Sequence, residues 1–316
     1  MVANIDKMMY VGEKPWHGEG TKLDQVATAK EAIEASGLDW EVVKRPINYF
    51  TNAKKYSVVP QKFATVRTDR NIPLGIVGNT YRPLQNKEAF SFFDAVVGVK
   101  EAIYHTAGSL GQGEKIWILA KLPGYIKVTK DDIVDKYLLL ANSHDGSSAV
   151  EMMFTPVRVV CQNTLNIAID TANERIHLRH TISLGTRVTN VKDQLGIVHL
   201  QYQLFEELSQ KLTNIQVNQE QYKNYLEKIG IVTKDEDGTL STRTQNTLDN
   251  LIHLYEHGKG NDLEKVKGTM WGAFNSVVEY VDYVRGSDKN RTKSILYGSG
   301  AVVKQKAWDL AVTSVK

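Results

Sequence analysis

Apolar positions change period near residue 187 of this chain. Before it they come in short runs and alternations of strand length, and beyond it they recur at spacings of three and four. Alternation sends successive side chains to opposite faces of a strand, whereas the three-and-four spacing lines one face of a helix. In the first part, strand-like runs fall at Trp40 to Phe50, Tyr56 to Val59, Lys62 to Thr68 and Ile72 to Val77, separated by Asn, Asp and Pro turn residues. Two helices interrupt them. One follows Asp24 as QVATAKEAIEAS and is stopped by Gly37. The other is KEAFSFFDAVV, with Asn86 as its expected cap, Ala89, Phe92, Phe93 and Val96 on one face, and Gly98 closing it.

Two hairpins follow. Ala102 to Ser109 and Lys115 to Leu122 flank Gly111-Gln112-Gly113, and both faces of the second run are partly apolar, as expected of a central strand. The stretch Lys136 to Asp170 holds an apolar run (Tyr137 to Ala141), a turn cluster (Asn142 to Ser148) and a second run (Ala149 to Thr155). Pro156 is expected to end that run because it has no N–H for a ladder, and a helix is expected from about Cys161. A short basic strand, ERIHLRHT, comes next. Helices are then predicted over Val188 to Ile215, Glu220 to Ile229, Thr242 to His257, Leu263 to Val284 and Gly300 to Val315. The pattern as a whole predicts an α+β protein: an antiparallel sheet with helices packed on one face over residues 1–186, followed by an α-helical domain over 187–316.

Composition narrows the classes. A chain of 316 residues, 42% hydrophobic, can bury one large core or two ordinary ones. No run of about 18 apolar residues occurs, so no membrane span is expected. The opening MVANIDKMMYVGEKPWHG lacks an apolar signal-peptide core and is expected to be retained. Cys161 is the single cysteine, which excludes an intramolecular disulfide and a cysteine-based zinc site and points to a cytoplasmic setting. The net charge is only +3, but residues 188–316 hold 16 Lys+Arg and 16 Asp+Glu, so the excess lies entirely in the first 187 residues. Val42 to Lys87 carries nine of the cations against Asp69 alone.

That segment interleaves cations with Tyr49, Phe50, Tyr56, Phe63 and Tyr81, the mixture a single-strand platform needs: cations track phosphates and aromatic faces stack bases. The same alternation would equally produce a solvated outer face with aromatics turned into the core. The candidate nucleic-acid contacts are Lys44, Arg45, Lys54, Lys55, Lys62, Arg67, Arg70 and Arg82 on phosphates and Tyr56 and Tyr81 on bases, with Arg175, Arg179 and His180 extending the groove. Metal ligation is the weaker candidate, from His144-Asp145, His177 and His180, or the pair His253 and His257, which lacks the glutamate of a zinc-protease helix. Cys161 reads as an inert core thiol rather than a nucleophile served by His144 and Asp145. GSG at Gly298 to Gly300 and GQG at Gly111 to Gly113 match no nucleotide-phosphate loop. No cofactor, metal or catalytic set is therefore expected, and TMWGAFNSVVEYVDYVRG reads as core and subunit contact.

Several stretches together resemble the phage/plasmid-like protein family, catalogued as domain of unknown function 932. They are KPWHGEGT, GIVGNTYRPLQNKEAFSFFDAVVG, AIYHTAGSLGQGEKIWILAKLP, LLLANSHDGSSAVEMMFTPVRVVCQNTLN, GTMWGAFNSVVEYVDYVRG and GSGAVVKQKAWDLA. The resemblance implies a bacteriophage or mobile-element protein acting in a bacterial cytoplasm, and it carries no catalytic residues with it. The predicted plan is also similar to that of phage single-strand annealing proteins of the RecT, Redβ and Erf kind, which work without nucleotide. The resulting expectation is a single-stranded DNA-binding, strand-annealing homo-oligomer, ring or filament, of phage recombination and replication. A phage exonuclease or a host single-strand binding protein would be its partner. The alternatives are an accessory protein binding a host or phage protein as a counter-defence factor, and a metal-dependent nuclease built on His144 and Asp145.

Overall fold

The computed structural model describes residues 4–12, 20–24, 28–51, 55–97, 103–158, 163–164, 176–181, 195–287, 291, 294–295 and 298–315. In chain order its elements are β1 (Ile5–Val11), β2 (Thr21–Leu23), α1 (Ala29–Ala35), β3 (Val42–Phe50), β4 (Tyr56–Arg67), β5 (Ile72–Gly78), α2 (Asn86–Val97), β6 (Ile103–Leu110), β7 (Lys115–Lys127), β8 (Ile133–Ser143), β9 (Val150–Arg158), β10 (Asn163–Thr164) and β11 (Ile176–Leu178). There follow α3 (Leu195–Leu212), α4 (Gln219–Ile229), α5 (Thr242–His257), α6 (Met270–Glu279) running into a π-helical turn (Tyr280–Val284), and α7 (Ser299–Thr313). The protein is thus α+β, with its C-terminal region helical.

Two compact units interleave along the chain. The first takes residues 1–123, 138–153 and 175–196, and the second 124–137, 154–174 and 197–316. The larger sheet runs β10-β9-β8-β7-β6-β1-β2 with β11 also on β9, and a separate three-stranded sheet runs β3-β4-β5. β6 pairs antiparallel with both β1 and β7, and β2 joins β1 in parallel.

In the first unit, α1 starts at a capping box in which Thr28 and Glu31 satisfy each other's backbone N–H, and Gly37, at φ +63°, takes the left-handed turn after it. Asn86 opens α2 but does not cap it; its side-chain amide donates to Leu38 O and Trp40 O. Among the described side chains of α2, Asn86, Ala89, Phe90 and Phe93 are buried, while those of Phe92 and Val96 lie outside the described residues.

Both prolines expected to interrupt strands are accommodated. Tyr56 to Arg67 is one strand, and Pro60 falls in an irregularity where a step of two residues on β3 (Pro46 to Asn48) is matched by five on β4 (Phe63 to Val58). Gln61 there takes φ +57°. Such a bulge leaves residues without ladder partners, which suits a residue lacking N–H, and it bends the strand. Pro156 sits within β9, between residues 150–152 that pair with β11 and 157–158 that pair with β10. The helix expected from Cys161 is corrected in part: Asn163–Thr164 pair as a strand, and Cys161 lies outside the described residues.

The second unit has an aromatic core. Phe205 stacks on Trp308 at 5.2 Å, Trp271 and Phe274 join them, and Tyr222 stacks on Tyr255 at 4.3 Å. Every residue from Trp271 to Glu279 is buried, so α6 is a core helix. Trp271 Nε1 donates to Asp132 Oδ2 at 2.7 Å, and a fully buried Lys304 pairs with Asp282 in the π-helical turn at 2.8 Å.

Candidate nucleic-acid interface

The β3–β4 hairpin leaves the core beyond its bulge. Tyr49, Phe50, Tyr56 and Val58 are 52, 60, 78 and 59% exposed, unusual for four large side chains on one short arm. Register assigns them to faces. Phe50 pairs with Tyr56 and Asn48 with Val58, so Phe50, Tyr56 and Val58 share one face, and Tyr49 opposite Ser57 is on the other. The Phe50 and Tyr56 rings meet edge to face at 5.3 Å. The arm closes through Thr51, whose N–H and hydroxyl both donate to Lys55 O, at 2.8 and 3.0 Å.

Cations flank this arm. Arg45, Ala64 and Ile76 are direct neighbours across the three strands, and Lys62, two residues from Ala64, falls on the same outer face; Ile76 is 67% exposed. Arg45, Lys55 and Lys62 are exposed. Among the described residues none of the three has a carboxylate partner. Arg45 instead donates to the neutral amide oxygen of Asn71 at 2.8 Å.

The structure divides the predicted contact set by strand face. Lys44, on the inner face, donates to Asn79 O and Tyr81 O at 2.7 and 2.9 Å and lies over Phe63. Arg67 is corrected outright. It is 1% exposed, reaches Asp69 at 2.8 Å, Asp6 at 2.7 Å and Gln112 O at 2.8 Å, and lies over Trp40 at 4.4 Å. Arg70 pairs with the same Asp6 at 2.9 Å. Burial pushes the Asp6 carboxyl up, but hydrogen bonds from Arg67 and Arg70 and their charges outweigh it and hold its pKa below the usual value. Arg82 meets Glu88 at 3.3 Å on the surface, a pair of small energetic weight.

Tyr81 stacks on His180 at 4.5 Å, and its hydroxyl donates to Ser143 O at 2.8 Å. His180 is correspondingly buried, whereas Arg179 beside it is exposed. Lys54 and Arg175 lie outside the described residues. Of the predicted contacts, Arg45 and Lys62 are exposed on the outer face, to which alternation along β3 also assigns Tyr49; Tyr56 is exposed with Phe50 on the opposite face of the arm, and Lys55 is exposed beside Tyr56. The aromatic interleaving was the signal of Tyr49 and Phe50.

Asn142-Ser143-His144-Asp145 forms the end of β8 and the turn after it. His144 is fully buried, edge-on to Trp40, and Asn86 Oδ1 lies 3.0 Å from its Nε2. Because the Asn86 nitrogen is committed to two carbonyls, its oxygen must accept, so His144 carries its proton on Nε2. Asp145 is held by Ser143 and by the backbone N–H of Ser147. No group of three His, Cys, Asp or Glu side chains among the described residues is placed to hold a metal ion. His253 and His257 lie with ring centroids 5.2 Å apart on α5, beside Glu256. No helix among the described residues is long and apolar enough to cross a membrane.

Fold and surface together define an α+β protein with a cationic, aromatic-tipped hairpin and a buried polar cluster beneath the Asn142 to Ser148 turn. By sequence the chain belongs to the family described as domain of unknown function (DUF932), whose profile matches residues 73–307. That span holds the buried cluster but begins after the β3–β4 hairpin. No curated protein and no solved structure matches the chain significantly.

Proposed function

We propose that this protein binds single-stranded DNA along the exposed arm and outer face of the three-stranded sheet. It acts as a non-catalytic annealing or protecting protein, an oligomer, in the recombination or replication of a phage or related mobile element. The observation that carries this reading is that one hairpin and its sheet expose Tyr49, Phe50 and Tyr56, all more than half exposed, as well as Arg45, Lys55 and Lys62, which no described carboxylate neutralises. Aromatic faces without a packing partner cost solvation unless a ligand covers them, and every base offers a π-face to do so. Unpaired cations alongside supply the salt-dependent phosphate term. The interface is smaller than the predicted groove, because Lys44, Arg67, Arg70 and Tyr81 support the fold.

Fluorescence anisotropy with labelled single-stranded and duplex oligonucleotides over a salt series tests the reading. Tight, salt-steep, single-strand-preferring binding is expected. Phe50→Ala/Tyr56→Ala should weaken it by about 1–3 kcal/mol per stacked base, and Arg45→Ala/Lys62→Ala should lower the salt slope by about 0.7 for each phosphate contact removed. Absence of binding at low salt would overturn it. The apolar face made by Phe50, Tyr56 and Val58 would then favour the second reading, docking of a host or phage protein.

A further inference from the structure

The last turns of α5 carry two histidines four residues apart. His253 and His257 are exposed, and the i, i+4 spacing places them on one face of the helix. Their ring centroids are 5.2 Å apart, with the ring planes inclined at 50°. Two imidazoles that share one metal ion at about 2.1 Å, with a tetrahedral angle between the two bonds, hold their ring centres roughly 5 Å apart. The pair therefore stands at chelating separation with no movement of the backbone. Among the described residues neither ring makes a hydrogen bond.

Two neutral rings can reach this distance by packing alone. The surroundings of this pair, however, are those of a cation. His257 is the last residue of α5, where carbonyl groups left without helical partners give the helix its negative end. Glu256 puts one carboxylate oxygen 3.8 Å from His257 Nε2, beyond hydrogen-bond length, so that nitrogen stays uncommitted. The other carboxylate oxygen accepts from Gln219 Nε2 at 2.8 Å, which holds the negative charge in place beside the rings.

We propose that His253 and His257 form an open, two-histidine site for one divalent ion of the late first-row transition metals, Ni²⁺, Cu²⁺ or Zn²⁺. Imidazole nitrogen suits these ions. No third His, Cys, Asp or Glu among the described residues joins the pair, so water fills the remaining positions and Glu256 contributes charge rather than a bond to the metal. In the unfolded chain nothing holds the two rings on one face. The ion therefore binds the folded helix more tightly and stabilises it. The assignment does not depend on DNA binding.

For the test, the full chain is stripped with chelator, then titrated with Ni²⁺ by calorimetry and with Zn²⁺ by ¹⁵N NMR of the imidazoles, and its urea midpoint is measured with and without Ni²⁺. The expected result is one Ni²⁺ per chain, Zn²⁺-induced shifts of the His253 and His257 nitrogens ahead of every other histidine, and a midpoint raised by Ni²⁺. His253→Ala and His257→Ala should each weaken uptake about tenfold or more, because the second bond of a chelate is intramolecular and either change removes it. Each should also remove the effect of Ni²⁺ on the midpoint. Both side chains are exposed, so the variants should fold as the parent does. No stoichiometric uptake, uptake unchanged in either variant, or these two rings unmoved by Zn²⁺ would overturn the site and leave a packed pair of surface rings.

Discussion

Arg45 and Arg67 lie on paired strands of one sheet, carry the same charge, and do opposite jobs. Arg45 faces solvent opposite Ala64, and Arg67 faces inward, where Asp6, Asp69 and Gln112 O receive its guanidinium. Removing one partner of a buried ion pair leaves an uncompensated charge, so Arg67→Ala should cost about 3–5 kcal/mol of stability. Arg45→Ala, at an exposed position, should stay within about 0.5 kcal/mol. Urea unfolding of the two variants measures the contrast, and equal losses would refute the division of the sheet into inner and outer faces. Sequence marked both residues as cations in a basic segment; it could not say which faced in, because Asp6, one of the two carboxylates that hold Arg67, lies 61 positions away, and Asp69 two residues on does not by itself mark a buried position.

At the scale of elements, the hairpins at Gly111 to Gly113 and Asp145-Gly146 and the helices α4, α5 and α7 were legible from pattern and turn residues, since local chemistry sets them. Extents were less so. Pro60 and Pro156 look like strand ends until the partner strands are known: Pro60 falls at the irregularity of β4, and Pro156 falls between the stretches of β9 that pair with β11 and with β10. The start of α6 at Met270 rather than Leu263 follows from Thr269, whose hydroxyl accepts from Gly272 N–H. The contact between β5 and the Asn142 to Ser148 turn was invisible to pattern. A Cβ on Gly75 would lie 2.5 Å from the Cα and carbonyl oxygen of Asp145, a backbone approach with nothing flexible to yield. Gly75→Ala should therefore destabilise by about 1–3 kcal/mol through overpacking and disturb the His144 environment. Thermal unfolding and the imidazole NMR signals check it, and a neutral outcome would mean that the turn does not rest on β5.

For the molecule as a whole, the buried histidines make stability depend on pH well above the carboxylate range. Unfolded, His144 takes up a proton near 6.5, whereas in the fold burial delays protonation to about 3. Between those values the unfolded chain binds more protons, so stability falls as pH falls, by about 1.4 kcal/mol per unit inside the window. His180, also depressed by burial, adds in the same direction. Asp6 and Asp69, held below their usual range, contribute stability that is lost only further down as they protonate. Urea midpoints from pH 7 to 4 should decline steadily, and His144→Gln, which can still donate to Asn86, should flatten the decline. An unchanged slope in that variant would contradict a neutral buried His144.

What the sequence determined by itself is the fold class, the hairpins, most helices and the location of excess positive charge, because each rests on local period, turn chemistry or simple counting. Family membership was legible in the same way, from motifs read in order along the chain. What only the tertiary structure decided is which cations and aromatics face water, and that Asn86, Tyr81, Asn142, His144 and His180 gather in one buried cluster. Those outcomes depend on strand register and on contacts between residues as far apart as His180 and Arg82, 98 positions away. No local pattern encodes such distances, since burial and pairing are properties of the packed chain.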